Sequence, residues 1–187
     1  MTERRAPLHR PLDGRRLEEL ALAYAARFAT TRGKLTTYLH RKLRERGWAG
    51  EGEADVAGIV ARFAEAGYVD DAAFARARTG GLLRRGYGAR RIADTLMAAG
   101  IEPELRRALR PDVVTARSAA LALARKRGFG PFGAAPADRE QCRKLREKQI
   151  AALLRAGHPL DNARQLVDAT SVEAAEEWAA EGQGGAA

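Results

Sequence analysis

A segment of the form Leu-x-x-x-Gly followed by a bulky residue occurs three times in this chain, at Leu43–Trp48, Leu96–Ile101 and Leu153–His158. Its glycines, Gly47, Gly100 and Gly157, stand 53 and 57 residues apart, and a basic helical stretch precedes each of them. A unit recurring at this spacing has too few large apolar residues to complete a core alone and needs its neighbours. The expectation is an all-α chain of three tandem three-helix repeats in an elongated, curved stack. Repeat 1 is placed at 17–69, repeat 2 at 70–111 and repeat 3 at 112–169. A flexible basic segment, 1–16, precedes them, and an acidic segment, 170–187, follows as a helix with a frayed tail.

Helix is expected because the apolar residues have its period. Leu17, Leu20, Ala21, Tyr24 and Phe28 recur at i, i+3, i+4 and i+7, and Val56, Ile59, Val60 and Phe63 do so again. No run alternates as a strand would, and no Asn-Gly or Asp-Gly turn joins two such runs. Asp138 with Gln141 and Thr170 with Glu173 have capping-box spacing, while Gly47, Gly67, Gly100 and Gly157 stand where helices should stop. Two places depart from the pattern. Gly80–Gly81 should break or kink the first helix of repeat 2, and Gly130-Pro131-Phe132-Gly133 should open a long loop in repeat 3.

The residues offer little catalytic chemistry. One cysteine, Cys142, makes neither an internal disulfide nor a zinc site by itself, and His9, His40 and His158 are scattered and read as incidental. Gly128, Gly130 and Gly133 match a dinucleotide fingerprint in spacing but follow a basic helix instead of a strand. Asp70 and Asp71 read as N-cap and first-turn residues that offset a helix dipole rather than as a cation site. The expectation is a protein that is not an enzyme, with no cofactor and no metal. No apolar run approaches the roughly 20 residues that span a bilayer, and the charged N-terminal residues have no signal-like segment behind them. A cytoplasmic monomer without membrane contact is expected.

Charge is more informative. The net charge of +9 is unevenly spread: residues 1–48, 76–110 and 111–160 are basic, whereas 49–75 and 161–187 are acidic. This pattern points to a polyanionic partner or to a partner surface with a charge pattern of its own. The strongest candidate is the corner Arg84-Arg85-Gly86-Tyr87-Gly88-Ala89-Arg90-Arg91, where two glycines let the backbone turn between basic helices. Arg125-Lys126-Arg127 before Gly128 offers a related corner in repeat 3, with Arg143 and Lys144 on a following helix. Arg32 and Lys34 about Gly33 offer a weaker one in repeat 1, with Arg41 and Lys42 beyond it. Such a series would form a basic ridge suited to a repeating polymer, either DNA or a protein filament.

At these residues the chain resembles the RecX family of RecA regulators. The resemblance is carried by Arg85-Gly86-Tyr87-Gly88-x-Arg90-Arg91-Ile92 and by Gly67-Tyr68-Val69-Asp70-Asp71 followed by Phe74-Ala75. The helix Ala21–Phe28 leading to Lys34-Leu35 and Leu39-x-x-Lys42-Leu43 adds to it. It implies three three-helix repeats bound in the groove of the RecA–DNA filament, inhibiting RecA's ATPase, strand-exchange and co-protease activities. Blocked filament extension or promoted disassembly would each have that effect. Weak electrostatic contact with single- or double-stranded DNA would accompany it. The alternative is an autonomous DNA-binding regulator that places a helix such as Ala89–Ala99 in the major groove.

Overall fold

A computed structural model describes residues 10–134 and 136–181. Among them the regular structure is helical: α1 (Gly14–Arg27), α2 (Arg32–Arg46), α3 (Val56–Glu65), α4 (Asp71–Arg84), α5 (Ala89–Ala98), α6 (Pro103–Ala108), α7 (Val113–Arg127), α8 (Arg139–Arg155), α9 (Leu160–Val167) and α10 (Val172–Ala180), with a single 3-10 turn, Gly130–Phe132. The chain is all-α, and each recurring Leu-x-x-x-Gly segment is a helix end. Gly47, Gly100 and Gly157 all take positive φ, and the residue after the second and third, Ile101 and His158, is buried.

By packing, the helices form two compact units. The first comprises the described residues up to Phe74 together with Ala99–Ile101, and the second comprises Ala75–Ala98 with the described residues from Glu102 onward. The first unit's core joins Leu12, Leu17, Leu35, Leu39, Ile59 and Val60 from α1, α2, α3 and the segment before α1. Each fully buried leucine contributes about 1.5–3 kcal/mol relative to exposure. The second unit's core joins Leu123, Ile150, Leu153, Leu166 and Ala175 from α7, α8, α9 and α10.

Three local expectations change. Residues 1–9 lie outside the described residues, but 10–16, expected to be flexible, are docked. Leu12 is fully buried, its N–H donates to Gly47 O at 3.0 Å, and its carbonyl accepts from Ala49 N–H at 2.8 Å. A lone leucine in a polar run gave no periodicity to read. The expected frayed tail, 182–187, lies outside the described residues. The α10 cap is Ser171 rather than Thr170, its hydroxyl accepting from Ala174 N–H at 3.1 Å. The third change concerns Gly80–Gly81, which do not break α4, a continuous helix from Asp71 to Arg84. Buried Ala75, Thr79 and Leu82 hold one face of this helix, and the Arg84 side chain folds back over the glycine pair, as helical side chains do. The long loop expected after α7 is present between Arg127 and Arg139, and within it lies the 3-10 turn, where Gly130 N–H donates to the buried Gln149 side chain at 2.9 Å.

Candidate functional site

The Arg84–Arg91 corner in the second unit is built by close backbone approach. Gly86 turns the chain at φ +80°, and a Cβ there would fall 2.7 Å from Leu123 Cβ on α7. Gly88 has no unusual φ, and its role is contact: a Cβ on it would fall 2.4 Å from the carbonyl carbon of Gly157. The start of α5 therefore abuts the end of α8. Gly88 N–H donates to Ala156 O at 2.9 Å and Arg90 N–H to Gly157 O at 3.2 Å. Unsatisfied donors of one helix thus meet unsatisfied acceptors of another, with the helix dipoles head to tail. His158 seals the joint, its Nε2–H donating to Gly86 O at 2.9 Å. Burial holds its pKa below the usual imidazole value against the opposing effect of that hydrogen bond, which favours the neutral ring.

This joint sets the α4–α5 turn beside the C-terminal turns of α7 and α8. Between them lies a cleft of about 310 Å3, lined by Arg85, Tyr87 and Arg91 on one side and Lys126, Arg127 and Arg155 on the other. Arg85 Nε donates to Gly81 O at 3.0 Å, and its guanidinium stands 5.8 Å from the centre of the Tyr87 ring. Among the described residues none of these five cations is in an ion pair. Last-turn cations also offset the helix dipole. Only Lys126, Arg127 and Arg155 lie on such last turns, so that role does not account for Arg85 and Arg91, and the five together make a positively charged cleft with an aromatic face.

The other expected residues go elsewhere. Arg84 is exposed on the last turn of α4, and Arg90 lines a different groove. Arg125 is drawn off by Glu176 of α10 and lies over the Phe132 ring at 5.7 Å. Lys144 pairs with Glu140 at 2.7 Å, and neither it nor Arg143 lines the cleft. In the first unit, Arg41 and Lys42 share Glu45, at 3.9 and 2.6 Å, and the hydrogen bond from Lys42 holds that carboxyl below the usual range. Lys34 Nζ stands 4.5 Å from the centre of the Phe74 ring, and Arg32 is exposed. Asp70 caps α4 through Ala73 N–H and Asp71 stands in the first turn of that helix, as expected, where its carboxylate also accepts from Arg32 N–H of α2 at 2.8 Å.

Sequence reasoning missed Arg155 and His158. Both fall inside the third Leu-x-x-x-Gly segment, so the recurrence itself was the available signal. Among the described residues no three metal-binding side chains gather, and no helix is long and apolar enough to cross a membrane.

Comparison with known proteins places these features in context. Residues 70–109, which carry the glycine corner, match the family model described as RecX, second three-helix domain. Regulatory protein RecX of Myxococcus xanthus is 33% identical over 160 residues, covering 81% of this chain and 84% of that protein. Regulatory protein RecX of Thermus thermophilus is 40% identical over 85 residues, covering 46% of this chain and 56% of that protein.

Proposed function

Because this chain belongs to the RecX family of regulatory proteins, we propose that it binds the RecA–DNA filament and inhibits RecA's recombinase, ATPase and co-protease activities. It acts in the cytoplasm as a monomer with no active site of its own, and so tempers recombination and the SOS response. The observation that carries this reading is the cleft of Arg85, Arg91, Lys126, Arg127 and Arg155 around Tyr87, which holds five cations in no ion pair among the described residues. Guanidinium groups match phosphate and carboxylate geometry, so the cleft suits the DNA backbone or an acidic RecA surface within a filament. The rival reading sends α5 into a major groove. Against it, Ile92 and Leu96 are buried and the helix's first turn is held by Ala156 and Gly157, which leaves little of α5 free for base contact.

The test is a titration of RecA's single-strand-DNA-dependent ATP hydrolysis with this protein. Hydrolysis should fall well before one molecule per RecA protomer, and added salt should relieve the inhibition because released counterions oppose rebinding. Undiminished hydrolysis at stoichiometric protein contradicts the proposal.

A further inference from the structure

The second unit contains a larger concavity with different chemistry, a groove of about 640 Å3 between α5–α6 and the turn from α8 to α9. Its walls are aliphatic and prolyl, formed by Ile92, Pro103, Leu109, Pro111, Leu154 and Leu160. Leu160 is 40% exposed, so a large apolar side chain is left facing solvent on one wall. Four arginines also line the groove, and they are not equivalent. Arg107 is held by Glu104 at 2.8 Å, whereas Arg90, Arg106 and Arg110 are in no ion pair among the described residues. Two buried polar atoms of lining residues lack a hydrogen-bond partner: Arg106 Nε and Nδ1 of His158, a side chain that is only 4% exposed.

These observations select the class of ligand. No phenylalanine, tyrosine or tryptophan lines the groove, and the one aromatic ring there, the His158 imidazole, is only 4% exposed, so a nucleobase would find no open stacking platform, in contrast to the cleft that holds Tyr87. Aliphatic walls instead accept a bulky side chain, and the guanidinium groups beside them accept carboxylates in paired hydrogen bonds. We infer that this groove binds an acidic, amphipathic peptide segment of a partner protein, seating an apolar side chain against Leu109, Leu154 and Leu160 while flanking carboxylates meet Arg90, Arg106 and Arg110. The second unit would then carry two separate sites, one for a polyanion and one for an acidic peptide. This inference does not depend on the filament reading, since it rests on residues that do not line the basic cleft.

The test is fluorescence anisotropy of the full chain with a labelled peptide holding a central Phe-Leu pair between runs of Asp and Glu. One control peptide replaces Phe-Leu with Gly-Gly, and another replaces the acidic residues with Lys. Saturable binding is expected for the first peptide, with at least about tenfold weaker binding for each control. Leu160→Gln with Arg110→Glu should weaken binding to a similar degree while leaving helicity unchanged. Arg110→Glu alone, at an exposed position, should weaken it in the same direction. A variant carrying Arg85→Ala, Arg91→Ala and Arg127→Ala should keep full peptide affinity, so failure here and failure of the filament proposal give different results. Equal binding of the Gly-Gly peptide, or affinity unchanged by either groove variant, overturns the inference.

Discussion

The first and second units carry similar basic sequence and use it differently. In the first, Arg41 and Lys42 converge on Glu45, and Lys34 lies over the Phe74 ring. In the second, Arg85, Arg91, Lys126, Arg127 and Arg155 surround a cleft with no carboxylate in ion-pair reach among the described residues. Both units contain a glycine-on-glycine contact, Gly33 against Gly100 in the first and Gly88 against Gly157 in the second. Basic sequence gathers into one unpaired cluster in the second unit because the backbone joint brings cations of separate helices together there and no acidic residue pairs with them among the described residues.

The largest effect should come from the backbone joint itself. Gly88→Ala places a Cβ against the Gly157 carbonyl group, which no side-chain rotation can relieve, and should cost about 2–4 kcal/mol in chemical denaturation. Gly33→Ala, whose Cβ would fall 2.8 Å from Gly100 Cα, should cost less, about 1–3 kcal/mol, and should leave the cleft's anion binding unchanged. A Gly88→Ala protein as stable as the parent would show that the second unit's joint is not tight.

Acidification should have the next largest effect, through His158 of the second unit. Burial lowers the pKa of His158 in the fold below the ordinary imidazole value of about 6.5. Its contribution is therefore complete above that pH and is lost as pH falls from about 6.5 toward the folded-state pKa, because the unfolded chain then binds the extra proton. Thermal melts of the protein should weaken over that window, and His158→Gln should flatten the dependence. Identical pH profiles for parent and variant would break this part of the comparison.

The smallest effect should come from releasing the first unit's cations. Glu45→Gln removes an exposed carboxylate from Lys42 and Arg41, so stability should change by less than about 1 kcal/mol. Binding to a DNA oligomer, read by anisotropy, should rise by no more than a few-fold. A larger gain would mean that the first unit is a masked site of the same rank as the cleft.

Much of the fold was legible because helix period and glycine stops are local properties. Gly47, Gly100 and Gly157 each terminate a helix with positive φ, as the recurring segment predicts. Features requiring tertiary contact were not legible. Gly80–Gly81 violate helix propensity and are nevertheless carried by the packing of Ala75, Thr79 and Leu82. The candidate site was half legible. Arg85, Tyr87 and Arg91 stood out by clustering, yet only the docking of Gly88 on Gly157 brings them to Lys126, Arg127 and the isolated Arg155. Arg125 looked equivalent to its neighbours in sequence, but Glu176, 51 residues later, removes it.

On the proposed reading, the second unit's cleft, rather than the first unit's basic residues, engages the filament. This engagement is tested most directly by co-sedimentation with preassembled RecA–single-stranded-DNA filaments. The comparison is between the parent, a cleft variant (Arg85→Ala, Arg91→Ala, Lys126→Ala, Arg127→Ala) and a first-unit variant (Arg41→Ala, Lys42→Ala). The account predicts affinity lower by on the order of a hundredfold for the cleft variant, with helicity retained, and by less than about threefold for the first-unit variant. Full binding by a folded cleft variant, or equal losses in both, would contradict it.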